Sequence, residues 1–322
     1  MWFSNLQLYR LTKPFTHSAE ELTEMLEQHA FKPCGTLELS SYGWVSPLSL
    51  TKGRDGAELV HAAGGRIMIC ARKEQKIIPS SVIRERVQEK AEAIEAAQAR
   101  PVRRKERESI KEEVIHDLLP KAFPRSAMTF AYISPKENLI VVNAGSPKKA
   151  EELLSYLRGS IGSLAAVAPS LNVAPAAIMT QWLNGDDVPH DVTLGDECEL
   201  RDVVEDGGII RCKRQDLTTE EIQVHLDAGK RAVKLAINWQ EQISCLVNDD
   251  LSIKRLRFSE ELLEQHDDAP DDDPIAAFDN DFSIMTLELS RFIPRLLEMF
   301  GGENEAYVVG DVIKRPSAGQ VS

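Results

Sequence analysis

The side chains best placed to do chemistry are basic ones that could hold an anion. Arg211-Cys212-Lys213-Arg214-Gln215 is a basic island that follows nine acids, and Gly207-Gly208 before it lets the backbone turn tightly and present side chains. Arginine and glutamine are efficient hydrogen-bond donors to phosphates and to base edges. The same island also reads as a strand end with a solvated face. Lys254-Arg255-Leu256-Arg257 has strand alternation, which predicts Lys254 and Leu256 on one face and Arg255 and Arg257 on the other. Phe123 stands in Leu119-Pro120-Lys121-Ala122-Phe123-Pro124-Arg125. An aromatic on a stiff, exposed tip is a contact anchor, while one folded back onto neighbouring helices is simply packed.

Catalytic motifs are scarce. The chain has no G-x-S-x-G, no H-E-x-x-H and no G-x-x-x-x-G-K-[ST]. Gly145-Ser146-Pro147-Lys148-Lys149 lacks P-loop spacing and reads as a helix start, with serine as cap and proline at the first helical position. None of the seven histidines has another four residues away, and the acidic run Asp267–Asp273 lacks EF-hand spacing. The cysteines, Cys34, Cys70, Cys198, Cys212 and Cys245, are odd in number, scattered and without C-x-x-C. They are expected to be reduced, buried thiols. No cofactor or metal is expected.

Charge is unevenly distributed. The 322 residues carry a net −13, which by itself argues against a nucleic-acid partner. Residues 72–111, however, hold twelve Lys/Arg against seven Asp/Glu. Residues 186–206 hold nine acids and one base, and residues 259–281 ten acids and no base. A basic surface on an acidic body is compatible with DNA, because a phosphate backbone feels the local field. No apolar run reaches the roughly 18 residues of a membrane span, and the start lacks signal-peptide features, so a cytoplasmic protein without membrane contact is expected.

The elements that must position these residues follow from periodicity. Strands are predicted over Leu6–Leu11, Thr36–Ser40, Glu58–Ala62 and Arg66–Ala71, with Gly64-Gly65 as a hairpin turn. Ser18-Ala19-Glu20-Glu21 is a capping box opening a helix to about Ala30. Ile83, Val87, Ala91 and Ile94, then Ile110, Val114 and Leu118, mark two helices separated by Arg100-Pro101. With so few large apolar residues, the pair is expected to project as a hairpin without a core of its own. Met128–Ile133 and Leu139–Asn143 resume the sheet, and a helix follows with Leu153, Leu154, Leu157 and Ile161 inward. Thr218-Thr219-Glu220-Glu221 caps another helix. Strands at Ala232–Asn238, Gln242–Val247 and Leu251–Phe258 precede a last helix, about Phe282–Phe300, kinked at Pro294 and stopped by Gly301-Gly302. The fold class is α+β, antiparallel sheets with packed helices and a projecting helical hairpin. Residues 1–78 with 127–184 form one globular unit, 79–126 an inserted helical tip, 185–302 a second α+β unit, and 303–322 a loose tail.

Several of these stretches together resemble the RdgC family of bacterial recombination-associated proteins. They are Met1-Trp2-Phe3-x-Asn5-Leu6-x-x-Tyr9-Arg10-Leu11-Thr12, Leu118–Phe123, Lys148–Glu151, and above all Glu205-Asp206-Gly207-Gly208-Ile209-Ile210-Arg211 running into Lys213–Thr218. Trp239-Gln240, Leu251-x-x-Lys254-Arg255-Leu256-Arg257-Phe258 and Met285-Thr286-x-Glu288-Leu289 also fit, over about residues 1–302. The resemblance implies a non-enzymatic, nucleoid-associated protein binding double-stranded, and in some settings single-stranded, DNA largely without sequence preference. It implies crescent subunits that close into a ring-shaped homodimer around duplex DNA and restrain a RecA-type recombinase at replication forks. Phe123 would be the plug of the tip-to-tip interface, and Lys213, Arg214 and Gln215 a finger beside the DNA. With Lys73, Lys76 and Arg84 of the basic segment and Lys121, these are the candidate DNA contacts. Two other readings stand beside this one: a protein-interaction adaptor for a recombinase or repair partner, and an enzyme acting on DNA ends.

Overall fold

The computed structural model describes residues 2–50, 58–204, 206–264 and 274–304, and its first strand shows how the chain is organised. Along β1 (Leu6–Leu11), Leu6 and Leu8 face one core while Tyr9 and Leu11 face another. A strand covered on both faces has no solvent side, so apolar residues fill consecutive positions. After it come α1 (Ala19–Glu27), β2 (Ser40–Val45), β3 (Val60–Ala63), β4 (Arg66–Ile77), α2 (Ser80–Gln98), α3 (Arg104–Leu118), β5 (Phe123–Ser134), β6 (Leu139–Asn143), α4 (Pro147–Ile161) and β7 (Ala166–Val167). The second half holds α5 (Pro175–Leu183), β8 (Val192–Arg201), β9 (Ile209–Lys213), α6 (Glu220–Asp227), β10 (Arg231–Trp239), β11 (Ile243–Asn248), β12 (Ile253–Phe258), α7 (Glu260–Glu264) and α8 (Pro274–Met299).

The twelve strands among the described residues belong to one antiparallel sheet, in the order β2-β4-β5-β6-β1-β12-β11-β10-β8-β9, with β3 beside β4 and β7 beside β1. The two halves meet where Leu6 pairs with Ile253, and the Leu256 amide donates to the Ser4 carbonyl at 2.9 Å. The sheet and one core therefore run across the boundary expected near residue 185. Phe282, Met285 and Leu289 of α8 share that core with Leu6, Tyr132, Leu235 and Ile253. Residues 175–183, placed by the sequence in the first unit, form α5, which buries Met179, Trp182 and Leu183 in this shared core.

In the first half the other sheet face is covered as well. Leu22 and Leu26 of α1 and Leu153, Leu154 and Leu157 of α4 pack on Ile69, Ala131 and Val142. In the second half the opposite face, with Glu197, Lys213, Ser244 and Arg257, opens onto a cleft.

Local chemistry accounts for most boundaries. Ser18 and Glu21 make the reciprocal capping box. Gly64 and Gly65, with φ of 57° and 75°, give the hairpin turn favoured by right-twisted strands. Ser146 and Thr219 occupy N-cap positions, but neither side chain makes the capping hydrogen bond. β2 begins at Ser40 and not at Thr36, because its ladder to β4 starts at the Ser40–Gln75 pair. Within it Phe31 crosses so close to Gly43 that a Cβ there would lie 2.4 Å from the Phe31 Cα.

Two further expectations change. The helix pair α2–α3 does bury a small cluster of its own, Val87, Ala91, Ile110 and Val114, extended by Ile83, Ile94, Val102 and Leu118. The C-terminal tail does not begin at 303: the Glu303 carboxylate takes two hydrogen bonds from Arg10, at 2.7 and 2.6 Å. Residues 305–322, like the acidic run Asp267–Asp273, lie outside the described residues. Among the described residues no helix is long and apolar enough to cross a membrane.

Candidate nucleic-acid interface

The open sheet face of β8–β12 is where basic side chains gather. It forms a cleft of about 1040 Å³ lined by Lys213, Arg214 and Gln215 together with Arg255 and Arg257. Beside it on the same face, alternation along β8 and β9 sets Glu197 opposite Lys213 and Glu199 opposite Arg211, while Glu199 also faces Lys234 on β10. The face thus carries Arg201, Arg211, Lys213, Arg214, Lys234, Arg255 and Arg257 against Asp196, Glu197, Glu199 and Asp216. The acidity of 186–206 is in part the counter-charge of this basic sheet, and no strand is expected there from the sequence.

The carboxylates organise the cations. Glu197 accepts from Arg255 at 2.8 Å, with Lys213 at 3.8 Å. Glu199, almost fully buried, accepts from Lys234 at 2.8 Å, Arg211 at 2.9 Å and Arg201 at 2.6 Å. Burial opposes its ionisation, but hydrogen bonds from Lys234, Arg211 and Arg201 outweigh it and hold the carboxyl down to about 2. The folded value lies below the ordinary 4.5, so this stabilisation is complete above about 4.5 and is lost as pH falls from there towards 2. Glu199→Gln is expected to cost about 1–3 kcal/mol at neutral pH and to flatten that part of the acid unfolding curve, both readable by circular dichroism.

Arg214 and Arg257 have no ion-pair partner among the described residues, so their guanidinium groups are free to meet an external anion. Arg214 also sits at φ 55° and Arg255 at φ 51°. A non-glycine residue in the left-handed region costs on the order of 1–2 kcal/mol. At Arg214 this conformation ends β9, so that the Gln215 amide, and not that of residue 214, donates to the Asp196 carbonyl at 3.2 Å. At Arg255 it accompanies the irregular register between β11 and β12. The irregularity breaks the expected alternation: Ile253 and Leu256, three apart, are both buried. Sequence alone brought Arg257 to a strand face. It could not show that β11 and β12 set that face beside the β9 finger.

The other candidates lie elsewhere. β4 and β9 are eight strands apart in the sheet order, ~38 Å at the usual spacing. Lys73 pairs with Glu152. Lys76 is buried, its ammonium donating to the Gly35 and Thr36 carbonyls at 2.7 and 2.5 Å. Arg84 is exposed in the groove between α2 and α3, and Lys121 is exposed on the turn after α3. Gln215 is tied to Glu221 at 2.8 Å. The candidates therefore form two separate groups.

Phe123 does not fold back onto the helices: it is 83% exposed. Nor is it at the tip of the helical hairpin, whose far end is the Ala99–Arg103 turn. It opens β5 at the root, where the twelve-residue β4–β5 ribbon ends in the pair Ile77–Phe123. Ile77 is itself exposed, as are Leu37 and Leu39 next to the same ribbon end. The sequence did not point to these three.

Comparison with known proteins gives a consistent result along the whole described fold. Residues 1–303 match the family model described as "Putative exonuclease, RdgC". A protein from Tolumonas auensis named "Recombination-associated protein RdgC" is 52% identical over 303 residues, covering 94% of this chain and 99% of that one. Proteins of the same name from Aeromonas hydrophila and Pseudomonas fluorescens are 52% identical over 306 residues and 47% over 303, covering 95% and 94% of this chain and 100% and 98% of their own. The family match ends at residue 303, where Glu303 closes the fold against Arg10, and within it lie the strands of the basic cleft and the exposed Phe123 alike: the chain belongs to the RdgC family.

Proposed function

We propose that this protein is a non-enzymatic DNA-binding protein that encircles duplex DNA as a ring-shaped homodimer. By occupying DNA it limits access of a RecA-type recombinase during recombination and fork repair, in the cytoplasm and at the nucleoid. The observation that carries this reading is a sheet face left uncovered among the described residues, where Arg214 and Arg257 have no ion-pair partner and lie beside Lys213 and Arg255 in one cleft. Such cations meet phosphates, which are the same whatever the sequence. The names of the relatives, recombination-associated proteins, support placing that DNA in recombination. The exposed apolar end of the β4–β5 ribbon, centred on Phe123, supports a second contact between subunits besides one made by the other half of the chain.

A salt titration tests it. With two or three cations per subunit on phosphates, a dimer is expected to give a slope of log K against log salt between about −3.6 and −5.4. Scrambling the DNA sequence is expected to leave the slope unchanged. A salt-insensitive affinity or one strongly preferred site would contradict the reading. The word exonuclease in the family description makes a second assay necessary: loss of end-labelled DNA in magnesium or manganese would show an enzyme instead.

A further inference from the structure

Two of the five cysteines face each other. Cys198 on β8 and Cys212 on β9 are directly opposed in the antiparallel register. The Asp202 amide donates to the Gly208 carbonyl at 3.1 Å, which fixes the phase of the ladder. Hydrogen-bonded pairs recur every second residue, so 200/210 and 198/212 are such pairs, with Cα atoms about 5.5 Å apart. That lies inside the range of roughly 4.4–6.8 Å that a disulfide spans. Opposed residues of a sheet project to the same side, and both side chains lie on the helix-covered face. Cys198 is buried in the core, and Cys212, half-buried, packs against it from the sheet edge. The other cysteines lack this relation: the Cys34 thiol donates to the Glu74 carbonyl, Cys70 is buried opposite Phe130, and Cys245 is buried opposite Ile237.

We infer that Cys198 and Cys212 are an oxidisable dithiol, a modification site for hydroperoxides that closes to a cross-strand disulfide on the end strand of the sheet. The two sulfurs have distinct parts. Burial, reinforced by the adjacent Cys212 thiol, pushes Cys198 up to about 12, so it stays protonated. Cys212 is the more accessible and reacts first. Its thiolate attacks a peroxide oxygen: the O–O bond breaks, an S–O bond forms, and hydroxide leaves. The Cys198 sulfur then attacks the Cys212 sulfenic acid. The S–O bond breaks, the S–S bond forms, and the Cys198 proton leaves with the hydroxyl as water. Two electrons pass from the thiols to the peroxide. Among the described residues β9 pairs with the sheet through β8 alone, so the new bond ties down an end strand, the kind of element from which local opening starts.

The full chain, treated with hydrogen peroxide, alkylated and digested without reductant, is the test. The expected result is a Cys198–Cys212 linked peptide, two hydrogen atoms lighter than the separate thiols and released by dithiothreitol, with amide exchange in β9 slowed about fivefold or more. Cys212→Ser, at the less buried position, is expected to keep the fold by circular dichroism and lose the link; Cys245→Ser is expected to retain it. If Cys212 accumulates as sulfinic acid while Cys198 remains alkylatable, or if the link forms between other cysteines, the inference is wrong.

Discussion

Phe123→Ala is expected to open the proposed ring while leaving a dimer. Phe123 is 83% exposed where β5 begins, and across the strand Ile77 is exposed too. Pro124 follows it, and Pro120 lies in the turn just before, so the backbone around the ring is restricted and little entropy is lost when it enters a partner pocket. Truncating a buried aromatic anchor typically costs about 2 kcal/mol or more. A two-fold contact uses it twice, so one substitution removes two anchors. Stability of the subunit is expected to stay within about 0.5 kcal/mol, because an exposed side chain supports no core. Small-angle scattering is expected to show a larger radius of gyration at unchanged dimer mass. Wild-type scattering in the variant would mean that this ribbon end takes no part in closure.

Replacing Arg214 and Arg257 together is expected to weaken DNA binding most among changes in the cleft. Neither guanidinium is paired among the described residues, so their loss strands no carboxylate there. Each phosphate cation lost takes about 0.9 from the salt slope, so the double alanine variant is expected to flatten it by about 1.8 for one subunit's cleft and about 3.6 for both. Arg214→Gly separates function from structure. Glycine tolerates the positive φ at this position, so folding stability is expected to rise by about 1 kcal/mol while DNA affinity falls. A variant that gains stability and keeps full affinity would mark Arg214 as a strand end and nothing more.

How much of this was legible depended on whether the signal was local. The Ser18–Glu21 box, the two helices after Pro79 and the Gly64-Gly65 turn are written in short stretches of chain, and the structure contains them. β8 was not legible, and among the described residues it is covered on one face only. Asp196 interrupts its apolar series of Val192, Leu194, Cys198 and Leu200, while Glu197 and Glu199 fill the open face, and their partners Arg211, Lys234 and Arg255 are 12 to 58 residues away in sequence. α5 lacks a side-chain cap to announce its start. Phe123 could be singled out from its flanking prolines. Its place at the root of the hairpin depends on the long β4–β5 register, and Lys76, basic in sequence, is spent on two carbonyls that only the fold brings near. The cleft is a product of sheet order: β12, β11, β10, β8 and β9 must lie side by side before Arg257 and Arg214 share a surface.

Encirclement is the central claim, and the most direct measurement is the lifetime of complexes on a closed circular duplex and on the same molecule cut once, after a jump to high salt. A ring held by topology is expected to survive on the circle at least tenfold longer than on the linear form, and a single cut is expected to release it at the linear rate. Equal lifetimes on circular and linear DNA would contradict encirclement and leave an open, surface-bound protein in its place.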